Sequence, residues 1–121
     1  MILLIKHRWQ ALVNSVVGIK HAVLNEETFR QEFILFWIAV PLAFWLTLDP
    51  WRLLALLGSL VLMMCAELLN TAIEAVCDLV SPDYNDYVKI AKDCGSGAVL
   101  MTMFIAAAVW LIVAHERFFL S

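Results

Sequence analysis

The sequence predicts an all-α membrane protein: an N-terminal amphipathic surface helix followed by three transmembrane helices. Three observations carry that prediction. The chain is 64% hydrophobic and 16% charged, against about 45–50% and about 25% in an ordinary soluble domain. At 121 residues a soluble fold leaves much of its surface wet, and there is too little polar sequence here to cover it. The mean hydropathy is +0.87, and a transmembrane helix takes about 20 residues, so three spans use about half the chain. The same composition excludes a disordered chain and a disulfide-stapled secreted module.

The surface helix is expected over residues 1–24. Ile5, Trp9, Leu12, Val16, Ile19 and Val23 recur at three- and four-residue steps, with Lys6, Arg8, Gln10, Asn14 and Lys20 between them. A basic amphipathic helix carrying a Trp suits the membrane interface; packing on a neighbouring subunit is the less favoured alternative. Its basic residues follow an apolar stretch rather than precede one, which is not the order of a signal peptide.

Span 1 is expected over 26–48. Asn25 reads as its N-cap, and Glu26 and Glu27 lie in the first turn, where the helix dipole favours negative charge. Pro41 is a point where the span can kink, and Asp49-Pro50 ends it in a tight turn. Span 2 is expected over 51–80. It is apolar from Leu53 to Ala66 and then carries Glu67, Asn70, Glu74 and Asp78. Residues 81–93 read as a cytoplasmic loop opening with Ser81-Pro82-Asp83. Span 3 is expected over 94–116, starting with 21 uncharged residues from Cys94 to Ala114.

With this topology, residues 1–32 and 81–93 share one side and hold six Lys and Arg residues, against two on the other. The positive-inside rule then puts the N-terminus and the 81–93 loop in the cytoplasm. The net charge is −3, and no basic block is large enough to suggest a nucleic acid. Cys65, Cys77 and Cys94 form no CxxC pair and read as reduced thiols.

The chemistry concentrates in span 2. Glu67, Asn70, Glu74 and Asp78 stand at i, i+3, i+7 and i+11, within about an 80° arc of one helix face. An ionisable group inside a span costs several kcal/mol unless it is paired, hydrated or bound to a cation. A buried hydrogen-bond network between helices is one reading of the stripe. Like-charged carboxylates are poor glue without a cation, however, and oxygen ligands near a cytoplasmic surface suit Mg²⁺ shared with a phosphate substrate. A proton or cation pathway is a third reading.

Two further clusters, Asn25-Glu26-Glu27-Thr28-Phe29-Arg30-Gln31-Glu32 and Lys89-Ile90-Ala91-Lys92-Asp93, read separately as snorkelling or capping residues. The topology puts all three clusters toward one side, where acids, an amide and two lysines can converge on a metal–phosphate complex. There is no P-loop, no GxGxxG and no HExxH. Gly95-Ser96-Gly97 reads as a phosphate-loop fragment or, more commonly, as a small-residue patch for close helix packing. His115 reads as interfacial.

These residues resemble the prokaryotic diacylglycerol kinase family. The resemblance rests on Asn25-Glu26 with Phe29-Arg30-Gln31-Glu32, on Glu67-Leu68-Leu69-Asn70-Thr71-Ala72-Ile73-Glu74-Ala75-Val76-Cys77-Asp78, and on Ala91-Lys92-Asp93 with Gly95-Ser96. It covers roughly residues 14 to 114. It implies a homotrimeric bacterial inner-membrane enzyme that transfers the γ-phosphate of Mg-ATP to the primary hydroxyl of diacylglycerol, giving phosphatidic acid.

In that resemblance Glu67 matches the general base and Asn70 an active-site amide. Glu26 and Glu74 match the residues that hold Mg²⁺ against the triphosphate. Lys92 and Asp93 match nucleotide contacts, and Arg8 and Asn14 fall near others, Asn14 standing where the family often carries a tyrosine. Ser15, Arg30, Glu32 and Ser96 match positions on the lipid side. An undecaprenol kinase of the same family is the nearest alternative. A small ion or drug transporter is the alternative from another class, although such proteins usually have four spans and a lone essential carboxylate in the first.

Overall fold

The computed structural model describes residues 1–120. Four helices follow in order: α1 (Ile2–Asn25), α2 (Glu27–Leu46), α3 (Pro50–Val80) and α4 (Asp86–His115), with a closing π-helical turn at Glu116–Leu120. Among the described residues there is no strand. Three helices are long and apolar enough to cross a membrane, Glu27–Leu46, Pro50–Val80 and Asp86–Leu120. The N-terminal helix precedes them, as the sequence predicts.

The helix boundaries refine two expectations. Asn25 is not the cap of α2. It is the last residue of α1, and its Nδ2 donates back to the His21 carbonyl at 2.9 Å. The break between α1 and α2 is the single residue Glu26, extended at φ −108° and ψ 110°. The polar linker is also shorter than 81–93. Asn85 caps α4, its side chain accepting from the backbone N–H groups of Tyr87 and Val88, so residues 86–93 are helical. An Asx cap of this kind satisfies two donors that the first turn leaves unpaired.

Both α2 and α4 pack on α3, while α1 touches α2 and is exposed up to His21. The core is two small clusters. Ala39, Leu60, Met63 and Ala106 form one. Ala43, Leu46, Leu56 and Val113 form the other. Alanines at three of these contacts let the backbones approach closely, which suits helices packing without a hydrophobic drive between them. Trp110 packs against both clusters. Its Nε1 donates to the Leu56 carbonyl at 3.1 Å, an acceptor that Ser59 Oγ also uses at 2.8 Å. The helix runs through Pro41 without interruption.

At the end remote from the carboxylates, Asp49 caps α3 by accepting from the Arg52 N–H, with Pro50 in the first turn. Arg52 Nε lies 2.6 Å from Glu116 Oε2, tying α3 to the closing turn after α4. The Arg117 guanidinium stacks over Trp45 at 5.3 Å. At most 28% of the apolar window of any span is buried within the chain. The remaining apolar surface is available to lipid or to other copies.

Candidate active site

The site begins at the single-residue break between α1 and α2. Glu26 sits there, half-buried, at the positive end of the α2 dipole. Arg30, one turn on, donates to the carbonyls of Leu24 at 3.3 Å and Val23 at 3.5 Å. It thereby closes the C-terminal end of α1, where carbonyls have no partner within the helix. The side chain thereby bridges the joint beside Glu26.

Across from the joint runs the C-terminal half of α3. Ser15, Gly18, Ile19, His21, Ala22 and Glu26 on one wall and Leu68, Thr71, Glu74 and Asp78 on the other line a groove of about 660 Å³. Glu26 and Glu74 therefore share one concavity although 48 residues separate them in sequence. Among the described residues no group of three or more His, Cys, Asp or Glu side chains is gathered to hold an ion unaided. Two carboxylates on one groove fit Mg²⁺ nonetheless, because that ion takes one or two carboxylates and completes its shell with waters and phosphate oxygens.

Deeper on the same face lie Asn70 and Glu67. Asn70 is buried, and its Nδ2 donates to Glu74 Oε1 at 3.4 Å. Glu67 is half-buried, two helical turns from Glu74 on the same face of α3. Glu32 lies at one end of a second groove, of about 590 Å³, between α2 and α4. Thr28 and Gln31 join Glu32 in its lining, while Leu35, Ile38, Leu42, Met103 and Trp110 make the rest apolar. Glu32 Oε2 is buried without a hydrogen-bond partner.

α4 meets this assembly near the linker. Lys92 Nζ lies 2.9 Å from Asp78 Oδ1, and Lys89 Nζ lies 2.6 Å from Asp93 Oδ2. Lys89, Lys92 and Asp93 line a third, smaller groove with Ser81 to Asn85. Tyr84, in that linker, donates its hydroxyl to Asp86 at 2.8 Å, which pushes its ionisation above the ordinary phenol range.

The sequence-predicted residues thus divide. Glu26, Glu74, Asn70, Glu67 and Glu32 come together along α2 and α3. Lys92 reaches Asp78 of the same stripe from α4, while Asp93 is exposed and pairs with Lys89 beside the linker. Ser15 lines the polar groove with Glu26 and Glu74 rather than the apolar groove with Glu32. Arg30 faces the α1–α2 joint rather than the apolar groove. Asn14 accepts from Gln10 on the exposed face of α1, and Arg8 and Ser96 are exposed and line none of the three grooves. Thr28 and Gln31 entered the sequence reading only as members of a cluster, without a role, and Trp110 did not enter it. Positions 28, 31, 35, 38 and 42 do follow one helical face, and that spacing is the signal that identifies the groove wall.

Comparisons with known proteins identify the family. The sequence profile of the prokaryotic diacylglycerol kinase family matches residues 13–114. The chain is 40% identical to a diacylglycerol kinase of Escherichia coli over 84% of its own length and 83% of that protein. It is 36% identical to one from Haemophilus influenzae, over 79% and 81%. It is 32% identical to one from Pseudomonas aeruginosa, over 82% and 80%. With its three apolar membrane-length helices and one carboxylate-lined face, the chain belongs to the prokaryotic diacylglycerol kinase family.

Proposed function

We propose that this protein transfers the γ-phosphate of Mg-ATP to the primary hydroxyl of diacylglycerol, giving phosphatidic acid and ADP. The observation that carries the proposal is the pairing of two grooves, a polar one that Glu26 and Glu74 line and an apolar one headed by Glu32, with Glu67 two helical turns from Glu74 on the same face of α3. A kinase for a membrane lipid needs those parts: a triphosphate from water on one side, an acyl chain on the other, and a base.

Glu67 accepts the proton of the lipid hydroxyl as its oxygen bonds to the γ-phosphorus and the bond to the β-phosphate bridging oxygen breaks. Glu26 and Glu74 are the residues that would hold Mg²⁺, which when bound neutralises phosphate charge. Asn70 orients Glu74 through its amide. Lys92, with Asp93, faces the nucleotide from α4 and adds a positive charge where negative charge develops. Ser15 contacts the nucleotide side of the groove. Glu32, with Gln31 and Thr28, holds the glycerol end of the lipid, and its acyl chain follows the α2–α4 groove toward Trp110.

The excess of Lys and Arg on the N-terminal and linker side supports a cytoplasmic active site in a bacterial inner membrane. The largely unburied apolar faces of the spans support assembly of copies, which we take to be a homotrimer.

The test is Mg-ATP-dependent phosphorylation of diacylglycerol beside undecaprenol by purified protein in mixed micelles. Phosphatidic acid as the main product supports the proposal. Product from undecaprenol alone transfers the same mechanism to another lipid alcohol. Folded protein that phosphorylates neither lipid defeats the kinase reading and returns the carboxylate stripe to an ion pathway.

A further inference from the structure

We infer that Gly95 is a positioning residue for Asn70: its lack of a side chain fixes which way the Asn70 amide faces. Asn70 is buried on α3, its Nδ2 donating to Glu74, while its Oδ1 is buried with no hydrogen-bond partner. An orphaned buried acceptor is costly and calls for an explanation. Gly95, buried on α4, supplies it. A Cβ built at Gly95 collides with Asn70 Oδ1 and falls 3.3 Å from its Cγ and 3.6 Å from Ile73 Cδ1. The hydrogen that glycine carries in place of that Cβ therefore points at Oδ1, as a weak C–H···O donor.

The two sides of the amide are thus set by different partners. Oδ1 faces a C–H, and Nδ2 faces a carboxylate. The flipped amide would turn Oδ1 toward Glu74 and N–H groups toward the glycine, so both contacts would become repulsive or empty. Gly95 is distinctive among the chain's glycines. A Cβ at Gly18 or Gly97 meets nothing within 4 Å, and one at Gly58 meets only a leucine methyl at 4.0 Å.

The inference rests on the kinase proposal only for its activity readout. The chain has four asparagines, Asn14, Asn25, Asn70 and Asn85, so protein labelled with ¹⁵N at asparagine gives few side-chain amide pairs, and Asn70→Ala identifies the one that matters. Gly95→Ala is expected to move the Asn70 pair and leave the others in place. It is expected to lower kcat about 10- to 100-fold, as for a small misplacement in an active site, at unchanged KM for the lipid. On the Asn70→Ala background the same change should cost less than about two-fold, because coupled residues are not additive. Gly97→Ala, the control, should stay within about two-fold of the parent.

An unmoved Asn70 pair, or Gly95→Ala activity equal to that of Gly97→Ala, overturns the inference. If Gly95→Ala does not fold, recovery of folded protein by adding Asn70→Ala upholds it, and no recovery overturns it. A parent protein that phosphorylates no lipid defeats the kinase proposal instead and leaves the amide spectra to decide the role of Gly95.

Discussion

Lys92 on α4 reaches Asp78 on α3 across the mouth of the site, Nζ to Oδ1 at 2.9 Å, with the Asp78 side chain largely exposed and that of Lys92 partly so. A pair so open to water does little to hold helices together. Its consequence is for position: it holds a lysine beside Asp78, which lines the groove with Glu26 and Glu74. Asp78→Asn is therefore expected to leave the unfolding midpoint in detergent unchanged and to raise KM for ATP about three- to ten-fold, as loss of a charged contact near a substrate site does. Lys92→Met should cost more in kcat/KM for ATP than Asp78→Asn. Equal unfolding shifts with unaltered ATP kinetics would make the pair purely structural.

Glu67→Gln keeps the shape of the side chain and removes its basicity. The expected outcome is a fall in kcat of about 10²- to 10⁴-fold, with the oligomeric state and KM for ATP retained. Near-parent turnover in folded protein would remove Glu67 from the role of base.

Glu74→Gln leaves a neutral oxygen in the groove shared with Glu26. The Mg²⁺ concentration giving half-maximal rate should rise about ten-fold or more, and Glu26→Gln should act in the same direction. A Mg²⁺ titration that coincides with that of the parent protein counts against both as metal-holding residues.

Trp110 stands in the apolar groove and also packs the core. Trp110→Phe removes its Nε1 donor to the Leu56 carbonyl and should cost about 1 kcal/mol. Trp110→Ala should cost about 3 kcal/mol or more through lost contacts and the space left behind. The lipid readout separates the groove from the core: Trp110→Ala should alter the rate ratio between long- and short-chain diacylglycerols, measured at a temperature where the variant is folded. An unaltered ratio would make the residue a packing element alone.

Arg30→Ala should loosen the α1–α2 joint, because Val23 and Leu24 lose the donor on their carbonyls. Limited proteolysis between residues 23 and 27 should become faster, and the Mg²⁺ concentration giving half-maximal rate should rise with it, since Glu26 stands in the joint. Unchanged cleavage would show that α1 is held by other contacts.

The sequence by itself determined the helix inventory, the membrane character and the carboxylate stripe. These follow from local properties: apolar runs long enough for a bilayer, and a helical period of 3.6 that puts Glu67, Asn70, Glu74 and Asp78 on one face. It also carried the family motif. It did not determine which distant residues meet. That Glu26 shares a groove with Glu74 depends on a one-residue break after Asn25, where capping propensity alone suggested a different boundary. That Ser15 lies with these acids, and that Arg30 turns back onto the α1 carbonyls, follows from the angle of the joint. The start of α4 at Asp86 rests on the Asn85 cap, and the partnership of Gly95 with Asn70 rests on how closely α4 packs on α3. Helix faces are written in periodicity, whereas contacts between helices depend on crossing geometry, which short-range sequence patterns leave open and tertiary packing settles.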